Sequence, residues 1–500
     1  MRIKALGLVV PVATLVLAVP AIASAASLTL LHSFGGPEGA TPAAPLVQGA
    51  DGFVYGVAAH GGDLAVLPPD GGGTAFRLDA SGTVTTLHTF RGLEGAVPRS
   101  LIQGRDGSYY GTTTYGGRAP ISSLEPGFGT IFRMDAAGAV TVLHVFPGGS
   151  GGAFPGPIIQ GADGALYGNA VGGVQIQPAI YAGFVYRFDP VSGDFRHLHD
   201  FVVSDGRTPT GPLFQGSDRS FYGTTSQGGP WNAGVVYKVD VLGNFVLLHG
   251  LSPLFPGDGS EPKGGVVQAS DGFFYGTTEL GGYGGGIFRL DAAGNFAVVH
   301  RFDAYASDGR SPVSGLTEGR DGFLYGTAPL GGQPVTAPSR RGVVYRMDTA
   351  GAVTVVHTFT GPDGAAPQAA LVQGADGGLY GSTVVGGAFG LGVLFRLDPA
   401  APSPPPTVTG LTLTPTSVAG GQSSTGRVTL SGPAPSGSAV VTLSSSNSSL
   451  VSVPQALVVP AGATSASFTA STKPVKRTRT ATIEARYNGT SASATLTITR

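Results

Sequence analysis

The chain has no cysteine, three methionines and one tryptophan in 500 residues, and only 12% of its residues are charged. Without cysteine there is no disulfide framework, no thiol nucleophile, no thiolate metal site and no lipid-bearing cysteine. Helical periodicity is missing as well, since no unit keeps apolar residues at a 3.6-residue spacing. Beyond residue 25 no run of ~18 consecutive apolar residues occurs, so no membrane span is expected. No serine lies in a Gly-x-Ser-x-Gly elbow between a strand and a helix, and no carboxylate pair stands apart as a glycosidase pair would. The sequence therefore assigns no catalytic residue, no metal ligand and no cofactor.

Glycine and proline are plentiful instead, at 83 and 38 residues. In an aperiodic chain such numbers would suggest low complexity. Here they recur at fixed places in a unit of about 54 residues repeated seven times between residues 27 and 398. The second copy reads Leu87-His88-Thr89-Phe90, then Leu101-Ile102-Gln103-Gly104-Arg105-Asp106-Gly107, then Tyr109-Tyr110-Gly111-Thr112-Thr113 with Gly116-Gly117, and closes on Ile131-Phe132-Arg133-Met134-Asp135. Its histidine recurs as His32, His88, His144, His199, His249, His300 and His357. A fixed period of this size means an array, a solenoid or a propeller.

Each unit holds four short runs rich in Val, Ile, Tyr, Phe and Thr, the residues that suit a pleated, half-buried surface. Between the first and second runs stand Asp51, Asp106, Asp163, Asp218, Asp271, Asp321 and Asp376. The Asp-Gly signal that all of them but Asp218 carry predicts a two-residue type I′ hairpin turn. Asp-x-x-Gly marks a second reversal between the third and fourth runs. Four antiparallel strands repeated seven times predict an all-β fold, a seven-bladed β-propeller over residues 26–399. The ends support closure: residues 28–34 match a fourth strand alone, while the last copy stops after its third at Asp398. The N-terminal strand is thus expected to complete the last blade.

This pattern resembles the GloVer-type tandem repeats of secreted bacterial proteins, whose members carry differing C-terminal anchors. The resemblance rests on the Leu-x-Gln-Gly-x-Asp-Gly, Tyr-Gly-Thr-Thr, Gly-Gly and Phe-Arg-x-Asp elements. It implies an exported or surface location and a propeller-like fold, with no established activity. The departure is at the end of the repeats, where neither a hydrophobic helix followed by basic residues nor a sortase-type motif follows.

Instead a proline-rich linker, residues 400–406 with Pro402, Pro404, Pro405 and Pro406, leads to a Thr/Ser/Val-rich module over 407–500. Proline-rich linkers are semi-rigid spacers. Roughly seven short alternating strands predict a small Ig-like β-sandwich there. This tail carries seven Lys/Arg against Glu484 alone, +6, whereas 20 bases face 29 acids, −9, between it and the leader. Two separately soluble domains account for that asymmetry, and the basic cluster Lys473, Lys476, Arg477 and Arg479 reads as a solvated loop. At the other end Arg2 and Lys4 precede an apolar run and the small residues Ala23-Ser24-Ala25. That is the pattern of a secretory signal peptide over 1–25, cleaved after Ala25. The expected address is secreted, periplasmic or cell-surface.

The recurring histidines invite a metal reading, but equivalent strands of neighbouring units should lie roughly 15–20 Å apart at ~4.8 Å per strand step. Packed, hydrogen-bonded core histidines fit better. The loop after each histidine carries Asp205, Asp258, Asp308 or Asp363, with Glu38 and Glu94 in two copies and Gly151 in the third. Loop-bound calcium would need six to eight oxygens where one carboxylate is supplied. Turn formation suffices.

Topology puts the second-to-third loops and the connections between units on one face. Insertions at 63–73, 118–128, 174–182, 230–233 and 333–341 make that face variable. Variable loops on a rigid scaffold are where binding is usually built. Trp231, Tyr181, Phe128, Tyr283, Tyr305 and Phe389 are the candidate ligand-face residues, competing with simple packing of each loop. The expectation is a monomeric binding or adhesion protein for a glycan or an envelope protein. The alternatives are a polysaccharide lyase or glycoside hydrolase on the same face, or a structural envelope component. Export and the acidic repeat region disfavour nucleic acid.

Overall fold

The computed structural model describes residues 26–67, 69–117, 127–172, 175–177, 180–254, 257–281, 284–303, 308–332, 341–399, 406–432, 434, 438–460 and 463–500. The leader 1–25 and all of the linker except Pro406 lie outside the described residues. What is described is almost all β. One 3-10 turn, Gly149–Gly151, is the single helical element among the described residues.

Seven four-stranded antiparallel sheets follow one another along residues 27–398. In the second sheet the strands are Ala96–Gln103, Tyr109–Tyr115, Thr130–Met134 and Val140–Val145, paired in chain order. The seventh differs in one respect: its fourth strand is Ser27–Ser33, paired antiparallel with Val393–Asp398 at the other end of the repeats. The N-terminal strand thus fills the place that the last copy leaves open.

The second strands and, apart from their basic residue, the third strands are largely buried because they have a neighbouring sheet on each side. The glycine of each Tyr-Gly pair sits opposite an aromatic of the third strand, as Gly111 does Phe132. A Cβ on Gly111 would come within 2.4 Å of that ring, so no larger residue fits beneath it. Seven apolar clusters fill the seven spaces between adjacent sheets. Tyr55, Phe90, Leu101 and Phe132 join the first sheet to the second. Phe34, Leu46, Phe76 and Leu394 join the seventh to the first. The array therefore meets itself, and its sheets are propeller-like.

Hydrogen bonds repeat across the same spaces. A residue before proline at the start of each unit, Thr41, Val97, Phe154, Thr208, Glu261, Ser311 or Ala366, is held at φ between +52° and +57°. Left-handed backbone costs an L-residue of ordinary size roughly 1–2 kcal/mol. Each of the seven N–H groups donates to a carbonyl of the preceding sheet at 2.7–3.0 Å, and the closing member is Thr41 to Leu391. A second series runs through the first-strand glutamines: the Ala50 N–H donates to Gln103 Oε1 and the Ala162 N–H to Gln215 Oε1. This series also closes, with Ala375 donating to Gln48.

The turn between the first two strands differs from the expected type I′. Gly52 N–H donates to Gly49 O and Gly49 N–H to Phe53 O, and of these residues Gly52 alone has positive φ, +88°. This is a type I turn closed by one left-handed residue, the arrangement of three-residue hairpin loops. The preceding Gly-x of the Gly-x-Asp-Gly motif belongs to the turn, which moves the left-handed requirement from Asp to Gly. In the fourth copy Asp218 is followed by Arg219, which takes the glycine position at φ +66°.

Residues 407–500 form two further sheets of four and five strands, nine strands where about seven were expected. In Ser423–Leu430 burial alternates strictly, and Val428, Phe468, Ile483 and Leu496 fill a core separate from the repeats.

Two stability predictions follow from closure and turn geometry. Deleting residues 27–34 removes the closing ladder and Phe34, whose burial alone is worth about 3–5 kcal/mol. Calorimetry should show a larger drop in Tm for that deletion than for removal of 407–500; the reverse order would mean that closure contributes little. Replacing Arg219 with glycine relieves the left-handed strain and should raise stability by about 0.5–1 kcal/mol in denaturant titration. An unchanged or lower midpoint would contradict this.

Candidate functional site

One face of the repeats is occupied by its own hydrogen bonds. In all seven turns the aspartate Oδ2 accepts the hydroxyl of the tyrosine four residues on, at 2.6–3.0 Å. Its Oδ1 accepts the N–H two residues on, as Phe53 N–H to Asp51. Burial raises the Asp106, Asp163 and Asp376 carboxyls, but tyrosine, backbone and arginine donors outweigh it and hold them below the usual range. Third-strand arginines finish the turn in one of two ways. Arg77, Arg289 and Arg346 stack on Phe53, Phe273 and Phe323 at 4.4–4.9 Å. Where the turn lacks that ring, Arg187 and Arg396 pair with Asp163 and Asp376 at 3.1 and 2.9 Å. Asp51, Asp106, Asp163, Asp218, Asp271, Asp321 and Asp376 are thus engaged within their own turns.

The histidines are half-buried at the edge of each sheet rather than in the core. A bulge places one extra residue before each: Phe76 pairs with Thr86 but Ala75 with His88, leaving Leu87 over. Six of them donate from Nε2 to the acid of the following loop, His32 to Glu38, His88 to Glu94, His199 to Asp205, His249 to Asp258, His300 to Asp308 and His357 to Asp363, at 2.8–3.3 Å. The same carboxylates accept loop N–H groups, including Val202 to Asp205 and Thr360 to Asp363. These acids latch the loop to the strand, which explains their recurrence without calcium. The six-residue His-to-acid spacing of four copies was visible in the sequence as a signal for this pair. His144, whose loop has Gly151, has no acid; its Nε2 is buried without a partner and its ring stacks on Phe195 at 4.1 Å. Burial alone lowers the His144 pKa, while His199 is lowered by burial against the opposing pull of Asp205. Among the described residues no three His, Asp or Glu side chains converge as a metal site.

A cavity of about 840 Å³ opens where the first strands begin and the second strands end, the loop-bearing face. All seven sheets contribute to its wall through the residue after the repeated proline or its neighbour: Ala43, Arg99, Pro157, Thr210, Lys263, Val313 and Gln368. The architecture requires the strained residue and the proline; the following side chain differs in each copy and faces the cavity. Lys263 Nζ lies between Glu261, at 3.4 Å, and Glu279, in closer contact. Burial lowers the Lys263 pKa, but the two carboxylates reverse this and hold it raised. Arg99 is open to the cavity space, yet the surrounding walls pull its pKa down. The Thr210 hydroxyl is buried with no protein partner. Sequence reasoning missed these residues because variation at one position of a repeat looks like drift until the fold puts all seven copies around one cavity.

The aromatic candidates are not brought together. Trp231 and Phe389 are exposed, at 56% and 67%, in sheets three positions apart. Phe128 is half-buried and packs at 6.5 Å from Phe154, so it serves its loop rather than standing free. Tyr181 lies in a two-stranded ribbon, Gln175–Gln177 with Ile180–Tyr181. Tyr283 and Tyr305 lie outside the described residues.

The latch gives a pH-linked prediction. Burial raises the Asp363 carboxyl, but Thr360 and His357 donors outweigh it, so its folded pKa is depressed below 3.8. A depressed carboxyl stabilises above its unfolded pKa and loses that effect as pH falls through the folded value. Asp363→Asn should therefore cost about 1–2 kcal/mol at pH 7 by leaving loop donors poorly matched, and the gap to wild type should narrow below about pH 3.8. A gap independent of pH would show that the charge is not what latches the loop.

Among the described residues no helix is long and apolar enough to cross a membrane. No curated protein sequence is significantly similar to this chain. Among solved structures it is similar to a gluconolactonase from Xanthomonas campestris, with 15% identity, covering 75% of this chain and 89% of that one at a TM-score of 0.38. A Dyadobacter fermentans protein of unknown function matches at 10% identity over 66% of this chain and 97% of that one, TM-score 0.38. An endo-1,4-beta-xylanase from Bacteroides thetaiotaomicron matches at 13% identity over 52% and 93%, TM-score 0.28. Residues 120–337 match the family model of the Gloeobacter/Verrucomicrobia repeat, and the chain is a tandem-repeat protein.

Proposed function

We propose that this chain is an exported, non-enzymatic binding protein: a seven-bladed propeller closed by its N-terminal strand, with an Ig-like module as spacer or attachment. In this reading all seven copies, not only 120–337, are GloVer-type repeats, and the leader directs the protein to the periplasm, the cell surface or the medium. The ligand is a glycan or a glycan-bearing envelope component, held at the loop-bearing face.

The observation that carries the reading is the contrast between the two faces. On one, every copy uses the same aspartate and tyrosine, bonded to each other, with a glutamine (Glu318 in the sixth copy) that reaches the neighbouring turn. On the other, the residue after each proline changes from Ala43 to Arg99, Thr210, Lys263 and Gln368, and these surround one cavity. Uniformity serves the scaffold; copy-specific polar groups around a concavity serve a ligand. Exposed Trp231 and Phe389 extend the surface outward on the same side.

A second reading, a lyase or hydrolase, is favoured by one detail: Glu261 and Glu279 flank Lys263 on the cavity wall. The binding reading is preferred because both carboxylates are ion-paired with that ammonium, whereas acid–base work needs groups poised to exchange a proton. A glycan array and an envelope pull-down with the mature protein separate the two. The binding reading expects saturable capture without turnover, weakened in Trp231→Ala. Turnover abolished by Glu279→Gln would establish the enzyme, and a blank in both screens would reject the binding protein.

A further inference from the structure

The cavity is electrically lopsided. On the fifth sheet, Glu261, Glu279 and Lys263 sum to one negative charge. Three sheets away Arg99 projects a cation into the same space. Among the described residues no carboxylate pairs with Arg99; the titratable neighbour acting on it is the Tyr115 phenol. An exposed guanidinium with no protein carboxylate beside it is available to an anion from outside.

Aromatic rings gather on the adjoining strands. Tyr115 ends the strand that pairs with the strand bearing Arg99. Its ring meets Phe154 edge-on at 5.6 Å, and Phe128 backs Phe154 at 6.5 Å. Phe154 occupies the strained pre-proline position, where the other copies carry Thr, Val, Thr, Glu, Ser and Ala. The scaffold thus needs the backbone of Phe154 and not its ring. That ring is nonetheless large and 38% exposed, next to the one sheet that supplies an arginine to the cavity.

The exposed ring of Phe154, with a guanidinium on the adjoining sheet, matches one ligand chemistry. The platform takes the C–H face of a pyranose, and the guanidinium's planar fork takes a carboxylate in two parallel hydrogen bonds. Building on the glycan reading above, we infer that the cavity mouth between the second and third sheets binds an acidic sugar, a uronate-bearing oligosaccharide, through Arg99, Tyr115 and Phe154. Thr210, whose buried hydroxyl lacks a protein partner, can bond a sugar hydroxyl deeper in the cavity. The acidic fifth sheet repels the carboxylate and so orients the chain with its charge toward Arg99.

The test is calorimetric titration of the full-length protein with oligomers of galacturonate, glucuronate and mannuronate, each as free acid and as methyl ester. At least one free acid should bind about tenfold or more tightly than its ester, the worth of a charge-assisted contact. Arg99→Gln should erase that preference while leaving the Tm unchanged, because its side chain faces open space. Phe154→Ala should weaken acid and ester alike by roughly three- to tenfold, as loss of a stacking face would. Equal affinity for acid and ester, or a preference that survives Arg99→Gln, overturns the assignment. So does binding of neutral glycans with no uronate binding, in which case the glycan reading itself stands. Absence of any glycan binding sinks both.

Discussion

Seven backbone N–H groups, each on a residue forced to positive φ ahead of a proline, reach across to the carbonyl of the sheet before. The rest of the molecule depends on this contact. The strain is of order 1–2 kcal/mol at each site, and it persists because the hydrogen bond, the proline and the apolar cluster between the sheets over-determine the conformation. A chain of identical steps then returns to its start: Thr41 bonds Leu391 as Val97 bonds Gly72. The third strand of the last copy is not left as an edge, because Ser27–Ser33 takes the place beside it.

Once that contact is repeated, the division between the two faces follows. Short turns need polar groups to satisfy their own backbone, and the aspartate and tyrosine of each unit, with its glutamine or, in the sixth, Glu318, do so within the unit or toward its neighbour. Little is left there to meet a ligand. The strained step sends the residue after proline toward the centre, where packing does not dictate its identity. The histidine latch acts at the outer rim, tying each connecting loop to its strand. The third copy, lacking the acid, is also the copy with the 3-10 turn Gly149–Gly151 and an unpartnered His144.

Much of this was legible in the sequence because the repeat multiplies weak signals. Period, strand count per unit and the missing fourth strand of the last copy identify the order of elements and the role of residues 28–34. Turn type was misread because Asp-Gly alone suggests two left-handed residues, whereas Gly49 and Ala50 also enter the loop and only Gly52 is left-handed. The glutamines were seen as a motif, but their partners lie in the next unit, 51–55 residues away in the open series and 327 in the closing bond. The candidate face was inferred from connectivity alone. Its residues were chosen as aromatics in the variable loops; of these Trp231 and Phe389 are exposed, while Phe154, at a strand start rather than in such a loop, was not among them. Arg99 and Lys263 escaped because nothing local distinguishes a cavity-lining position from a drifting one.

Closure of the ring at Thr41 is the claim on which the account rests. Hydrogen–deuterium exchange over residues 36–42 and 391–398 tests it directly. A closed ring protects these segments as strongly as the equivalent residues 92–98 and 72–79 of an internal junction. Rapid exchange at 36–42 alongside protected internal copies would show an open array, and the shared cavity would go with it.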